Sequence, residues 1–495
     1  MLKKMCYNIS RDMNPHYHKK QSIRVIVSEA IMVLAVIVTV IILALLVSGY
    51  WLNSDFTVER NGMLQISSIP TGANVEIDGQ ASSWLERTNS SKILGSGEHS
   101  VVLTKDGYDS WSKTVIISEG LLYRLQYPRL FLKERTTEAI DIASSFTSAS
   151  ISPDGNLLLL MNDTTEWLLM NLDADTPSTK KLDISSAFST VSLAEGAKVG
   201  LFTGKILDLD WDQDSSHILF KVENGDKIEW VLLDTGNVAK SVNLTKEFGG
   251  NFSELEILDN GSNQLLAIQN GNLHKIDIPG RLISAVLAKN ILDFDHFGNE
   301  IVYSAKRIDQ TPPVDGATTQ EPVDALSEYY VGYLKLGDDK TTELEPTTAP
   351  VKVAIGKFYD SKYIAVLTGQ SISIHQKDSY LEDIEQYQIS FTPDAIKVGH
   401  DGGFLILSQV DQLATLDLEA NLVREWSIEH DHGWLDHYMF YAVSDNNLVV
   451  YDFDGLNRRE LSHNVSSHFP ITITSDKWLY YFRDGGLIRE WLIPR

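Results

Sequence analysis

The chain has 495 residues, of which 43% are hydrophobic and 22% are charged, an ordinary composition for a globular protein of two or three domains. Collagen-like, fully disordered and disulfide-stapled classes are therefore excluded. The 67 acidic residues exceed the 42 basic ones, and the net charge of −25 would repel a phosphate backbone, so we expect no nucleic-acid partner.

An apolar run near the start of the chain predicts a transmembrane helix. Residues 30–47 contain a single polar side chain, and about 18 helical residues span roughly 27 Å, close to the hydrocarbon thickness of a bilayer. The run extends back through Glu29 if that residue lies at the headgroups, and Tyr50 and Trp51 suit the opposite interface. We therefore predict a membrane helix over residues 25–52, with the lipid bilayer as its partner.

The charges on either side of this helix predict its orientation. Residues 1–24 form a basic arm with a net charge of +5, whereas the chain from Ala30 onward carries about −29. By the positive-inside rule the arm is cytoplasmic and the C-terminal domains are extracytoplasmic, in a single-pass cell-membrane protein. Cleavage as a signal peptide is the competing interpretation, although the apolar core exceeds the roughly 7–15 residues typical of such signals.

The cysteine content agrees with an exported body. The only cysteine, Cys6, lies in the basic arm, so the part beyond the helix must fold without disulfides. A cysteine-free acidic exterior is typical of a bacterial cell-surface protein.

Residues 63–132 read as short strands divided by glycine turns. Asp78-Gly79 is a strong hairpin signal. Two further strands are predicted at residues 99–103 and 111–117, joined through a turn in which Gly107 adopts a positive φ. The segment is therefore predicted to be a small β-module.

Three strings of this module resemble the PEGA domain of bacterial and archaeal cell-surface proteins: Ile69–Gly79, Gly97–Val101 and Lys105–Tyr108, the last followed by Trp111. The resemblance implies a β-sandwich that serves as a spacer or adhesion module and has no catalytic residues. The loop that carries Trp84 departs from the family pattern, and that tryptophan is a candidate for contact with a sugar.

The remainder of the chain, residues 136–495, contains a recurrent pair of short strands with a period of roughly 45 residues, the size of a propeller blade. The first strands of the eight pairs are Leu157–Met161, Ile218–Val222, Leu265–Gln269, Ile301–Ala305, Ile364–Thr368, Phe404–Gln409, Tyr438–Val443 and Leu479–Arg483. The turn Ser152-Pro153-Asp154-Gly155 before the first pair resembles the turns of WD-like propellers exported by bacteria. The fold class is thus all-β, with an N-terminal helix, a PEGA-like β-sandwich and a β-propeller of eight blades, or seven because the intervals are uneven.

Two features of the propeller segment carry specific predictions. The last repeat supplies only three strands, so residues 138–143 are expected to provide the fourth and close the ring. The proline- and threonine-rich residues 308–326 have no apolar period and are expected to form a mobile surface loop.

The sequence offers few candidates for chemistry. His430, His432 and His437 are spaced so that three imidazoles could surround a divalent ion if the segment bends, but histidines of a solvated loop are the interpretation that we favour. Neither a metal nor a cofactor is predicted, and no catalytic residue is assigned. Trp84 and Trp434 are the candidate ligand contacts.

These observations predict a membrane-anchored cell-envelope protein that presents its propeller as a non-catalytic platform for protein or glycan binding. The alternative is an exported hydrolase, or the regulatory propeller of an envelope enzyme. A cluster of ionisable groups with perturbed pKa values in the central channel would favour that alternative.

Overall fold

A computed structural model of the chain describes residues 15–47, 50–52, 58–81, 87–142, 145–192, 199–258, 263–307, 328–338, 340–376, 384–429 and 431–494. Within these residues one long helix precedes a body that consists almost entirely of β-strands. The predicted loop at residues 308–326 lies outside the described residues.

The helix α1 (Pro15–Val47) begins and ends earlier than the predicted span of residues 25–52. Proline suits the first turn of a helix because its missing N–H needs no partner there. Residues 50–52 are not helical: they form strand β1 (Tyr50–Leu52), which pairs with β2 (Val58–Arg60), so the prediction of a helix up to residue 52 was wrong. Gly49 is a poor helix former, and the hairpin pairs the backbone groups of the residues that follow it.

One segment of α1 is long and apolar enough to cross a bilayer. It runs from Val27 to Ala44, and it is the one such helix among the described residues. Its side chains are exposed rather than packed against the body. A span of this length matches the hydrocarbon thickness.

Two sheets packed face to face form the module that follows. Their strands are β3 (Gly62–Ile66), β4 (Asn74–Ile77), β5 (Gln80–Ala81), β6 (Ser90–Leu94), β7 (Gly97–Thr104), β8 (Trp111–Ile117) and β9 (Leu122–Leu125). One sheet has the order β6-β3-β9 and the other β5-β4-β7-β8. Alternate residues of each strand point inward, and Leu64, Val101 and Trp111 lie fully buried between the sheets. The predicted β-sandwich is therefore present.

The predicted turns of the sandwich are also confirmed. Asp78 (φ 52°) and Gly79 (φ 75°) connect β4 to β5, and two consecutive positive φ values define the tight turn that favours Asp-Gly. Gly107 has a φ of 81°. Trp84 falls in residues 82–86, outside the described part of the chain.

Eight four-stranded antiparallel sheets make up the rest of the body. Strand β10 (Thr137–Ile140) precedes the first complete blade. Blade 1 contains β11 (Ser148–Ile151), β12 (Leu157–Met161), β13 (Glu166–Asn171) and β14 (Ser178–Asp183), and blade 2 contains β17 (Lys205–Trp211), β18 (His217–Asn224), β19 (Lys227–Asp234) and β20 (Val242–Asn243). Blade 3 contains β21 (Phe252–Ile257), β22 (Gln264–Gln269), β23 (Asn272–Asp277) and β24 (Leu282–Ile283). Blade 4 contains β25 (Ile291–Phe297), β26 (Glu300–Lys306), β27 (Tyr329–Lys335) and β28 (Thr341–Thr347). A hairpin of β15 (Val191–Ser192) and β16 (Leu201–Phe202) separates blades 1 and 2, and a short helix α2 (Leu244–Phe248) separates blades 2 and 3.

Blades 5 to 8 complete the series. Blade 5 contains β29 (Lys352–Phe358), β30 (Ser361–Thr368), β31 (Ser371–Gln376) and β32 (Ile384–Gln388), and blade 6 contains β33 (Ala395–Val398), β34 (Phe404–Gln409), β35 (Gln412–Asp417) and β36 (Leu422–Ser427). Blade 7 contains β37 (His432–Trp434), β38 (Met439–Ser444), β39 (Asn447–Asp452) and β40 (Arg459–Ser462). Blade 8 contains β41 (Thr472–Thr474), β42 (Trp478–Arg483) and β43 (Gly486–Trp491), together with β10. The eight predicted strand pairs are the second and third strands of these blades.

Apolar clusters between successive blades close the sheets into a ring of eight. Each cluster joins the central strands of two neighbours, and one of them joins blade 8 back to blade 1 through residues such as Tyr480, Trp478 and Leu158. A single blade is too thin to bury both of its faces, so stacking around the ring supplies the core. The count of eight is therefore confirmed over seven.

Strand β10 closes the ring as predicted. It pairs antiparallel with β43, with Thr137 opposite Glu490 and Ile140 opposite Leu487. The segment before blade 1 thus becomes the outer strand of the last blade, and β43 is paired on both sides.

Replacing Gly155 with alanine should weaken the junction between blades 1 and 8. Gly155 has a φ of 70°, and its carbonyl accepts a hydrogen bond from Thr474 Oγ1 at 2.7 Å. An added Cβ would lie 2.8 Å from both the Ile473 carbonyl oxygen and Thr472 Oγ1. We expect Gly155→Ala to lower the free energy of unfolding by about 2 kcal/mol, from backbone strain plus overpacking, measured by urea denaturation.

Gly369→Ala is the matched control. Gly369 has a φ of 60°, but nothing lies within 4 Å of its added Cβ. Its loss should be about 1 kcal/mol, from backbone conformation alone. Equal losses at the two positions would contradict the proposed contact across the junction.

Candidate functional site

The PEGA-like module packs against one face of the propeller. The contacts on the propeller side come from the turns between first and second strands and between third and fourth strands, in blades 5 to 8. Trp111 Nε1 donates a 2.8 Å hydrogen bond to Asp452 Oδ2 at the end of β39. The two modules therefore share a buried, directional interface.

A buried lysine lies at the centre of this interface. Lys113 Nζ lies 2.8 Å from Asp454 Oδ2 and 3.6 Å from Asp417 Oδ2, and it donates a 2.5 Å hydrogen bond to the Tyr127 hydroxyl. The side chains of Lys113, Asp417 and Asp454 are all less than 10% exposed. Such charges remain ionised out of water only if each has partners of opposite sign.

Burial affects the titration of the surrounding carboxyl groups. It raises the pKa of Asp417, against the opposing effect of the Lys113 charge. Burial, followed by repulsion from Asp454, raises the pKa of Asp452 to about 7. One lysine thus faces three carboxyl groups, and one of these groups binds a proton near neutral pH.

Two arginines extend the interface from the lysine toward blade 8. Arg129 pairs with Asp436 at 3.1 Å and with Asp476 at 2.5 Å, in the turns of blades 7 and 8. Arg135, in the connection to β10, contacts Glu490 of β43. The sandwich and the connection supply these cations and the acidic ring supplies the anions, so charge complementarity sets the docking orientation.

A cavity of about 970 Å³ opens beside this interface, at the axis of the ring. The sandwich contributes Arg124, Gln126 and Tyr127 to its wall. The rest of the lining comes from the inner strands and turns of the blades: Gln213, Glu256, Asp293 to Phe297, Lys352, Val353, Ile355 to Tyr359, Ala395 to Phe404, Asp417, Glu419, Tyr438 and Phe453. A cavity of this size, lined by aromatic, acidic and basic groups, is large enough for a small-molecule ligand or a short segment of a polymer.

Arg124 fixes the edge of the sandwich at the cavity. Its backbone N–H donates to Glu419 Oε1 at 2.7 Å, and its guanidinium lies 4.3 Å from the centre of the Tyr359 ring. The Tyr359 hydroxyl in turn donates to Glu419. The wall formed by the sandwich is therefore tied to blades 5 and 6.

Six carboxylates lie on the inner strands of blades 2, 3 and 4. They come in pairs two residues apart: Asp208 and Asp210 on β17, Glu254 and Glu256 on β21, and Asp293 and Asp295 on β25. The two-residue period directs both members of a pair to the same side of the strand. Glu256, Asp293 and Asp295 line the large cavity, and Asp210 joins Glu256 and Asp295 around a second cavity of about 490 Å³.

Five carboxyl groups on these strands hold protons more tightly than exposed ones. Burial raises the pKa values of Asp210, Glu254, Asp293 and Asp295. Burial, together with the charges of Asp295 and Glu254, raises the pKa of Glu256 well above its usual range. The channel therefore contains groups that can donate or accept a proton near neutral pH.

Some of these carboxylates also have structural roles. Asp293 Oδ2 accepts a hydrogen bond from the Val353 N–H, and Asp295 Oδ2 accepts one from the Ile355 N–H, both at 2.8 Å. These bonds link the inner strands of blades 4 and 5. Glu256 is held less firmly, since its Oε2 lies 3.9 Å from His296 Nε2 and its side chain is about one-third exposed to the channel.

The two described histidine candidates, His432 and His437, have different partners. His432 Nδ1 is 2.8 Å from the Glu429 carbonyl oxygen, whereas the His437 ring stacks on His400 with centroids 3.5 Å apart. His430 lies outside the described residues. Within the described ranges no group of three or more histidine, cysteine or acidic side chains is arranged to hold a metal ion.

The Trp434 side chain packs partly into the core. It lies on β37, the inner strand of blade 7, and its ring stacks on Phe440 at 3.9 Å while 41% of the residue stays exposed. Trp84, the other predicted ligand contact, is outside the described residues.

The sequence contained a signal for the channel that was missed. The tripeptides Asp208-Leu209-Asp210, Glu254-Leu255-Glu256 and Asp293-Phe294-Asp295 occur just before the second strand of three successive repeats. The abundance of acidic residues elsewhere hid this acid–apolar–acid pattern. His400, which lines the cavity and stacks on His437, had no such signal.

Comparison with known proteins identifies the first module. The family model of the PEGA domain matches residues 61–129. No curated protein matches the chain.

Similar solved structures share little sequence with this chain. They include Hsv2 of Kluyveromyces lactis (10% identity, TM-score 0.39, 64% of this chain and 98% of that chain), an oligogalacturonate lyase of Vibrio parahaemolyticus (11%, 0.39, 67% and 98%) and apo AztD of Citrobacter koseri (10%, 0.37, 79% and 95%).

Proposed function

We propose that this chain is a membrane-anchored protein of the cell envelope in which the PEGA module holds the β-propeller as a rigid binding platform outside the cytoplasm. The observation that carries the proposal is the interface around Lys113, which locks the module onto one face of the ring and leaves a cavity of about 970 Å³ at the axis. The apolar helix α1 and the PEGA match support the location.

The orientation of the anchor is tested by protease treatment of intact cells. We expect the body from β3 onward to be digested, with the basic arm protected by the membrane. Detection uses a tag at each end of the chain, and the same treatment of lysed cells serves as control. Digestion of the arm with survival of the body would overturn the proposed location.

The binding role is tested with the full chain in lipid nanodiscs and a panel of envelope glycans, peptidoglycan fragments and surface proteins. We expect capture without turnover, at the channel cavity. The double variant Glu256→Gln/Asp295→Asn should weaken capture tenfold or more, because each amide leaves a hydrogen-bonding group of the ligand unsatisfied at a cost of about 1–3 kcal/mol. Asp360→Asn, at an exposed position outside the cavity lining, is the matched control and should bind normally.

The hydrolase alternative has one observation in its favour, the proton-binding carboxyl groups of the channel. A protonated and an ionised carboxyl group on opposite sides of a bound sugar can cleave a glycosidic bond by general acid–base catalysis. If that is the function, a member of the glycan panel will be turned over, and Glu256→Gln will abolish turnover while binding persists. Turnover that depends on Glu256 would replace the platform proposal with this one.

A further inference from the structure

A row of exposed apolar side chains crosses the outer face of the β6-β3-β9 sheet. Met63 on β3 is paired with Ile93 on one side and with Leu122 on the other. The three residues are 41%, 54% and 37% exposed, respectively. Adjacent strands in a sheet are about 5 Å apart, so the three side chains form one continuous apolar strip.

The turn between β8 and β9 widens this strip. Leu121 in that turn is 63% exposed, and its carbonyl oxygen accepts a 2.9 Å hydrogen bond from the Met63 N–H. Ile116 near the end of β8, at the edge of the other sheet, is 39% exposed and lines a groove together with Leu121 and Leu122. We call these five residues, Met63, Ile93, Ile116, Leu121 and Leu122, the apolar PEGA patch; at one end it adjoins Tyr359 of blade 5.

The backbone places this patch close to the end of the membrane helix. The hairpin of β1 and β2 pairs Tyr50, three residues after Val47, with Arg60, three residues before Met63. The path from Val47 to Met63 consists of three residues up to Tyr50, one strand pairing across to Arg60, and three more residues. Even with both stretches fully extended, Met63 lies within about 26 Å of Val47. The guanidinium of Arg60 lies over Gly120, so the β8–β9 turn is at this same end.

We propose that the apolar PEGA patch rests on the lipid bilayer, with Leu121 and its neighbours inserted at the interface between headgroups and acyl chains. This inference depends on the anchor described under the proposed function. A surface tethered within about 26 Å of the membrane meets lipid at a high effective concentration, whereas a second copy or a soluble partner must be recruited from solution. Large exposed apolar patches normally mark an interaction surface, and here lipid is the partner always within reach.

Contact between the patch and the bilayer determines how the whole body is oriented relative to the membrane. The PEGA module is locked to the ring through Lys113 and Arg129. Contact between the patch and the bilayer therefore fixes the tilt of the ring, in addition to its distance from the membrane.

The test uses the full chain in phosphatidylcholine nanodiscs, with Cys6→Ser as background and an environment-sensitive fluorophore on single cysteines. Leu121→Cys reports the patch and Ala44→Cys reports the anchor. Val410→Cys is the matched control, because Val410 is another exposed apolar residue in a tight turn, at the far face of blade 6. An interfacial surface buries its apolar groups about 5–10 Å deep, so lipid with a nitroxide high on its acyl chain should quench the Leu121 label roughly twofold or more and leave the Val410 label unchanged.

Quenching at Ala44 with none at Leu121 would overturn the patch inference and leave the anchor standing. Absence of quenching at both positions would overturn the anchor, and the patch inference with it. Self-quenching between labelled copies, independent of the nitroxide lipid, would assign the patch to a second copy instead. Ile116→Cys repeats the measurement at a neighbouring position and should follow Leu121.

Discussion

Replacing Lys113 with methionine should lower the free energy of unfolding by about 3–5 kcal/mol, the cost of removing one partner from a buried ion pair. Methionine keeps most of the aliphatic volume, so the loss reports on charge rather than on a cavity. Without the ammonium group, Asp417 and Asp454 would remain buried with no cation between them. Urea denaturation followed by tryptophan fluorescence measures the effect, since Trp111 is buried at this interface.

Lys181→Met is the matched control. Lys181 pairs with Glu166 at 3.0 Å, but the two side chains are 68% and 39% exposed. Exposed pairs contribute about 0–1 kcal/mol, because water and salt screen the charges. A Lys113→Met variant no less stable than Lys181→Met would show that the buried ion pair does not hold the two modules together.

Raising the pH from 5 to 8 should reduce the stability of the protein by about 3 kcal/mol through Asp452 alone, since one pKa unit corresponds to about 1.4 kcal/mol. The pKa of Asp452 is about 7 in the folded chain and near its ordinary value of 3.8 in the unfolded chain. Between these values the folded state holds a proton that the unfolded state has released, so stability falls as pH rises. The raised pKa values of Glu256 and Asp295 act in the same direction.

Asp452→Asn isolates this contribution. The amide can still accept the hydrogen bonds from Trp111 Nε1 and Asn457 Nδ2 through its oxygen, but it does not titrate. We expect the variant to match the unmodified protein at pH 5 and to exceed it in stability at pH 8. Asp360→Asn, at a fully exposed position, should leave the pH profile unchanged. An unaltered slope in Asp452→Asn would contradict the assignment.

The regular part of the architecture was predictable because it repeats. The second strands of the blades are largely buried on both faces and read as short apolar runs, as in Leu157–Met161. Their first strands were harder to see, since they face the channel and mix acidic with apolar residues, as in Lys205–Trp211. The closing strand could be predicted because the last repeat lacks one strand.

Contacts between side chains that lie far apart in the sequence could not be predicted from the sequence. Trp111 and Asp452 lie 341 positions apart, and nothing local marks them as partners. Similarly, His437 looked like a companion of His432 because they are close in sequence, but its ring stacks on His400 from another blade. Closeness in the sequence does not predict which side chains make contact in this fold, because eight similar repeats bring their turns together on one face of the ring.

The pairing of β10 with β43 also has a consequence for biosynthesis. Because Thr137 is opposite Glu490, the ring cannot be sealed until the chain has been translated beyond residue 490. A chain that stops before β43 leaves one edge of β10 and one edge of β42 unpaired, and such edges can pair with other chains. Once β43 has formed, it covers both of these edges, so the first and last segments of the ring are joined only after residues 486–491 have been synthesised.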